Sequence, residues 1–178
     1  MFLIILAWIV FRVAAFLKTR KADWKSEAKQ IFFLINLIVI YRFTFHPFQK
    51  VDGQVHPLIF DIATALPFRV NLIPFVHLLE YDSKFDLLIN IIGNFAMFIP
   101  TGIILPLIYK HINTLKKAVL TGGAISLGIE ILQLPFAVMA SDVDDLILNT
   151  AGCLAGYGIF ALGRWIIKSL ARRQGACQ

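Results

Sequence analysis

The chain has 178 residues, is 58% hydrophobic and has a mean hydropathy of +0.76. Its apolar residues gather in runs about as long as a bilayer is thick, which excludes an ordinary soluble domain. The net charge of +6 would fit nucleic acid in a soluble protein, but in a membrane protein the placement of basic residues outweighs their total, and no nucleic-acid partner is expected.

In chain order, five hydrophobic segments are predicted, at 1–17, 30–48, 87–109, 118–139 and 146–167. Each can cross a hydrocarbon core of about 30 Å as a helix. Lipid-facing backbone must satisfy its own hydrogen bonds, so the expected fold is all-α, a polytopic membrane helix bundle. The first run begins at Met1 with no basic stretch ahead of it, so a span is expected rather than a cleaved leader. Arg12, near the inner end of that span, is expected to snorkel to the cytoplasmic interface.

The connectors alternate in charge. Lys18, Arg20, Lys21, Lys25 and Lys29 fill the first. Lys110, Lys116 and Lys117 fill the third, and Arg164, Lys168, Arg172 and Arg173 close the chain. On that side the only acids are Asp23 and Glu27. The other side carries Lys50, Arg69 and Lys84 against eight acids, Asp142, Asp144 and Asp145 among them. The positive-inside rule then places the N-terminus outside and the C-terminus in the cytoplasm.

The parts expected are two N-terminal transmembrane helices (1–48), an outer loop (49–86), three further spans, and a basic cytoplasmic tail within 158–178. The loop is apolar but broken by Pro57, Pro67 and Pro74, so an interfacial or re-entrant hairpin is expected.

This topology brings polar side chains together. Asn90 and Asn94 fall one turn apart on one face of the third span, in its outer half. Glu130 falls nine residues below the expected end of the fourth span at Met139, roughly 13 Å deep, with Gln133 above it and Ser126 below. Asp145 caps the fifth span, and Asn149 lies one turn further in. A buried carboxylate within a membrane is costly and reads as functional by default. Amides in such helices also serve simply as hydrogen bonds between neighbours.

The acidic turn has a plainer reading as well, with Asp142 or Asp144 capping a helix. Asp142, Asp144 and Asp145 are the weak candidates for a metal site and lack the spacing of an EF-hand loop. Neither a metal nor another cofactor is expected. His46, His56 and His77 show no ligand spacing. Cys153 and Cys177 suggest neither a disulfide nor a zinc site. Gly152 and Gly156 form a close-packing GxxxG, a possible seam for a homo-oligomer; Gly122, Gly123 and Gly128 are expected to pack similarly. Pro100 should kink the third span. Arg42 is placed to pair with Glu130 or a phosphate.

Four ordered motifs, "NLIPF" (71–75), "NIIGNFAMFIPTGIILP" (90–106), "SLGIEILQ" (126–133) and "DVDDLILNTAGCLAGY" (142–157), together resemble the VanZ-like family. The resemblance covers residues 71–157 and implies a bacterial inner-membrane protein. The family's recurrent polar positions fall on Asn71, Asn90, Asn94, Glu130, Gln133, Asp142, Asp145 and Asn149. Met139 stands where the family commonly has an arginine, a role left to Arg69 or Arg42. The family is named for a member that raises resistance to teicoplanin, a lipidated glycopeptide.

The reading favoured is a protein that binds or handles a lipid-linked cell-wall precursor or a glycopeptide. Its ligand contacts would be Glu130, Gln133, Asn90, Asn94, Asn149, Asp142, Asp145, Asn71 and Arg69. The alternatives are an enzyme acting on a lipid head group through a carboxylate or metal site, and a small transporter with Glu130 as proton site. No nucleophile–base pair favours the enzyme, and no repeat favours the transporter.

Overall fold

A computed structural model describes residues 2–19, 23–45, 59–65, 70–76, 83–136 and 139–175. The described residues form α1 (Phe2–Thr19), α2 (Trp24–Phe45), a 3₁₀ turn at Ile62–Ala65, β1 (Val70–Asn71), α3 (Lys84–Ile108), α4 (Leu115–Gln133), β2 (Ser141–Asp142) and α5 (Val143–Gly175). One helix matches each predicted segment. Three of them, α2, α3 and α5, are long and apolar enough to cross a membrane.

The helix ends follow local chemistry. Ser83 caps α3 by accepting the N–H groups of Phe85 (3.2 Å) and Asp86 (3.4 Å). Thr114 caps α4 by accepting the N–H of Lys117 at 3.4 Å. α4 then stops at Gln133, six residues before the expected end. Pro135 has no N–H to give the Ile131 carbonyl, which takes the Leu134 N–H instead at 3.4 Å in a tightened last turn. Glu130 is therefore only about 4.5 Å below the end of its helix, not the 13 Å expected.

α3 and α5 run parallel with their backbones almost in contact. A Cβ on Gly152 would stand 2.0 Å from the carbonyl oxygen of Phe95, and one on Gly156 would stand 2.0 Å from that of Ile99. Gly102 faces back: its Cβ would lie 2.1 Å from the Cys153 carbonyl oxygen. The GxxxG seam considered for a second copy is thus filled by α3 of the same chain. α4 packs antiparallel on α5, with Gly122 against the Cys153 thiol. Gly128 differs from expectation, since a Cβ there would meet nothing within 4 Å.

Ile40, Met97, Phe98 and Cys153 form one apolar cluster, and Leu105, Ile112 and Ala118 a second. Polar residues are buried beside them, Asn36, Thr101, Ser126, Glu130 and Asn149 among others, while Phe, Ile, Leu and Val cover the outside. That inversion suits a chain whose solvent is lipid, where polar groups seek partners inside. α1 joins α2 through Arg12, which pairs with Glu27 rather than only reaching for the interface.

The described parts of the connection between α2 and α3 dock on the turn between α4 and α5. Phe60 bridges Phe136, and the Asp61 N–H donates to the Pro135 carbonyl at 2.9 Å. Further on, β1 pairs with β2 in parallel, Val70 opposite Ser141 and Asn71 opposite Asp142.

Candidate functional site

The polar side chains converge where α3, α4 and α5 meet the β1–β2 pair. Glu130, 4% exposed, accepts the Asp142 backbone N–H at 2.9 Å, and the Ser141 hydroxyl is hydrogen-bonded to the same carboxylate. Pro135 makes this possible, because it ends α4 and lets the chain turn back over Glu130.

Asp142 performs two tasks. Its Oδ1 accepts the Asp144 N–H at 2.9 Å, as a cap does for the first turn of α5, and it also receives the Asn71 amide at 3.2 Å. The capping role expected for the acidic turn is present, and the turn is also tied to β1. Asn71 accepts the Ile73 N–H at 3.1 Å, which folds its own segment. Asp144 is 2% exposed, and its two carboxylate oxygens receive the Phe75 N–H at 2.9 and 3.1 Å. Phe75 has φ 68°, a left-handed conformation a non-glycine residue rarely adopts. The contact with Asp144 holds it there.

α3 enters through Asn94, whose amide donates to Asp145 and faces the Asn90 oxygen at 3.5 Å. One turn deeper, Asn149 donates to the Ser126 hydroxyl at 2.9 Å. Two amide oxygens in this region, Gln133 Oε1 and Asn149 Oδ1, are buried with no hydrogen-bond partner among the described residues.

Of the predicted site residues, Asn71, Asn94, Glu130, Asp142 and Asp145 are thus joined by hydrogen bonds through one turn. Asn90, Gln133 and Asn149 lie on the faces beside them. Arg69 and the three histidines fall outside the described residues. Arg42 is exposed in the last turn of α2. Among the described residues no three His, Cys, Asp or Glu side chains gather closely enough to hold a metal ion.

Sequence reasoning missed a second polar node. Asn36 donates to the Met97 carbonyl at 3.0 Å and accepts from the Thr101 hydroxyl at 2.6 Å, both buried. Pro100 lies in the same stretch of α3 and lacks the N–H that would bond the Ala96 carbonyl, next to Met97. The signal was present as a lone amide within "IFFLINLIVI".

Two cavities lie beside the acidic turn. One of about 420 Å³ runs between α2 and α3, and another of about 610 Å³ between α4 and α5; no carboxylate lines either.

Residues 32–166 match the family described as VanZ/LLP1. The chain is also similar to Protein VanZ of Enterococcus faecium, with 33% identity over 93 residues, covering 52% of this chain and 53% of that relative. The match therefore spans about half the length of the curated relative. No solved structure resembles the chain at a significant level.

Proposed function

The chain belongs to the VanZ/LLP1 family, and from that premise we propose that it is a bacterial cytoplasmic-membrane protein that binds a cell-envelope ligand at its acid- and amide-lined junction. The ligand class is a lipid-linked cell-wall precursor or a glycopeptide, and the cellular effect is reduced susceptibility to teicoplanin. Five helices cross the bilayer, with the N-terminus outside and the C-terminus inside. The junction faces outward, and the described parts of the connection, Phe60–Asp61 and β1, lie over it. The basic connectors on one side and the acidic turn on the other support this orientation.

One observation carries the binding proposal. Gln133 Oε1 and Asn149 Oδ1 are buried acceptors without partners among the described residues, on the helices that carry Glu130 and Asp145. Buried polar atoms are almost always satisfied, so acceptors held in reserve beside carboxylates fit a ligand rich in N–H and O–H donors. Binding without catalysis is favoured because the carboxylates are already engaged by backbone and amide donors.

The test is teicoplanin susceptibility of a Gram-positive host expressing the chain, beside Glu130→Gln at equal membrane abundance. Protection by the parent chain and its loss in the variant support the proposal. Equal protection by both makes Glu130 structural. No protection by either removes the glycopeptide from the proposal.

A further inference from the structure

The cavity between α2 and α3 is a lipid-facing groove with a defined shape. Phe32, Val39 and Phe43 form one wall; Gly93, Met97 and Pro100 form the other. Asn36 is the one polar residue in its lining, and its amide is turned inward to Met97 and Thr101. Both helices are long and apolar enough to cross a membrane, so hydrocarbon is what surrounds this face.

The dimensions select the occupant. From Gly93 to Ile104 the groove runs about 16 Å along α3, close to the hydrocarbon depth of one leaflet, half of the roughly 30 Å core. Counting all of its empty space, about 830 Å³, over that length gives a cross-section of about 52 Å², still below the roughly 80 Å² of a helix about 10 Å across. A single polymethylene chain fits and a second helix does not. At one end stands Gly93, where a Cβ would meet nothing within 4 Å among the described residues.

The groove also leads somewhere. Asn90, Gly93, Met97, Pro100 and Ile104 follow one another at spacings of three and four and so share a face of α3. One turn beyond Gly93 stands Asn90, beside Asn94 and its partner Asp145.

We propose that the α2/α3 groove seats one acyl chain of a membrane lipid, whose polar end meets Asn90 at the edge of the acidic junction. This rests on the junction being a binding site and adds that its ligand is a lipid held by its chain as well as its head.

The experiment places the full chain in nanodiscs of phosphatidylglycerol and phosphatidylethanolamine, with a phosphatidylglycerol bearing a diazirine on one acyl chain as the probe. After photolysis, labelled residues are mapped by mass spectrometry. Labelling is expected to be several-fold higher at Val39 and Met97 than at Ile159 and Leu162, exposed apolar residues of α5. Gly93→Leu should fill the groove without a backbone clash, lowering labelling at Val39 and Met97 several-fold while Ile159 and Leu162 stay unchanged. Uniform labelling of all lipid-facing residues, or no response to Gly93→Leu, overturns the proposal and identifies an unselective lipid annulus. Loss of lipid labelling at Val39 and Met97 together with two chains per nanodisc overturns it in favour of a second copy. Because labelling reads the groove directly, its failure leaves the Glu130→Gln susceptibility test standing, and the reverse also holds.

Discussion

Glu130, in the last turn of α4, accepts the backbone N–H of Asp142, twelve residues later, at 2.9 Å. One buried carboxylate thereby fixes the turn that starts α5 and, through Asp142, the β1 segment. Binding and folding roles meet in the same atoms, and substitutions can separate them.

Glu130→Ala leaves the Asp142 N–H without its acceptor. A buried donor left unpaired costs about 1–3 kcal/mol, so a clear drop in melting temperature in detergent is expected. Glu130→Gln keeps an acceptor oxygen and should melt much closer to the parent. If the two variants melt alike, the hydrogen bond is not what Glu130 contributes.

Asn94 donates to Asp145 across the α3–α5 contact. Asn94→Asp sets two carboxylates against each other and should lower stability or force uptake of a proton. Adding Asp145→Asn reverses the pair and should recover most of the loss. A double variant no better than the sum of the singles would show that the two side chains do not interact.

Gly156→Ala would bring a Cβ to 2.0 Å from the Ile99 carbonyl oxygen, whereas Gly158→Ala, half a turn on, would meet nothing within 4 Å. The first must push α3 and α5 apart, at a cost of at least the 1–3 kcal/mol typical of overpacking. The second should be neutral. Thermal unfolding in detergent distinguishes them, and equal tolerance would place the α3–α5 contact elsewhere.

The Asn36–Thr101 hydrogen bond links α2 to α3 in a buried setting. In membrane proteins such bonds contribute about 0.6 kcal/mol on average and up to about 1.7. A double-mutant cycle of Asn36→Leu and Thr101→Val should give a coupling energy in that range, and a coupling of zero would make the bond incidental.

Much of the architecture was legible in the chain. Runs of apolar residues located all five helices, because burying some twenty residues in lipid leaves the backbone no other conformation. Single ends differ by up to eight residues, as where α5 runs on to Gly175 past the expected 167. The amide and acid positions were legible too, since a polar residue in such a run stands out. Helix ends were less so: α4 was extended past Gln133 because the hydropathy of 134–139 stays high, and hydropathy does not register the missing N–H of Pro135.

What the sequence could not settle was which polar groups face each other. Spacing placed Asn90 and Asn94 on one face, but only packing turned Asn94 to Asp145, Asn36 to Thr101 and the Phe75 amide to Asp144. The same holds for the glycines, whose motif fits a second copy or a neighbouring helix equally well until α3 is seen lying against Gly152 and Gly156. Hydrophobicity is a property of a segment and is read along the chain. A hydrogen bond or a close helix approach belongs to two segments at once, 51 residues apart for Asn94 and Asp145, and exists only after the fold has brought them together.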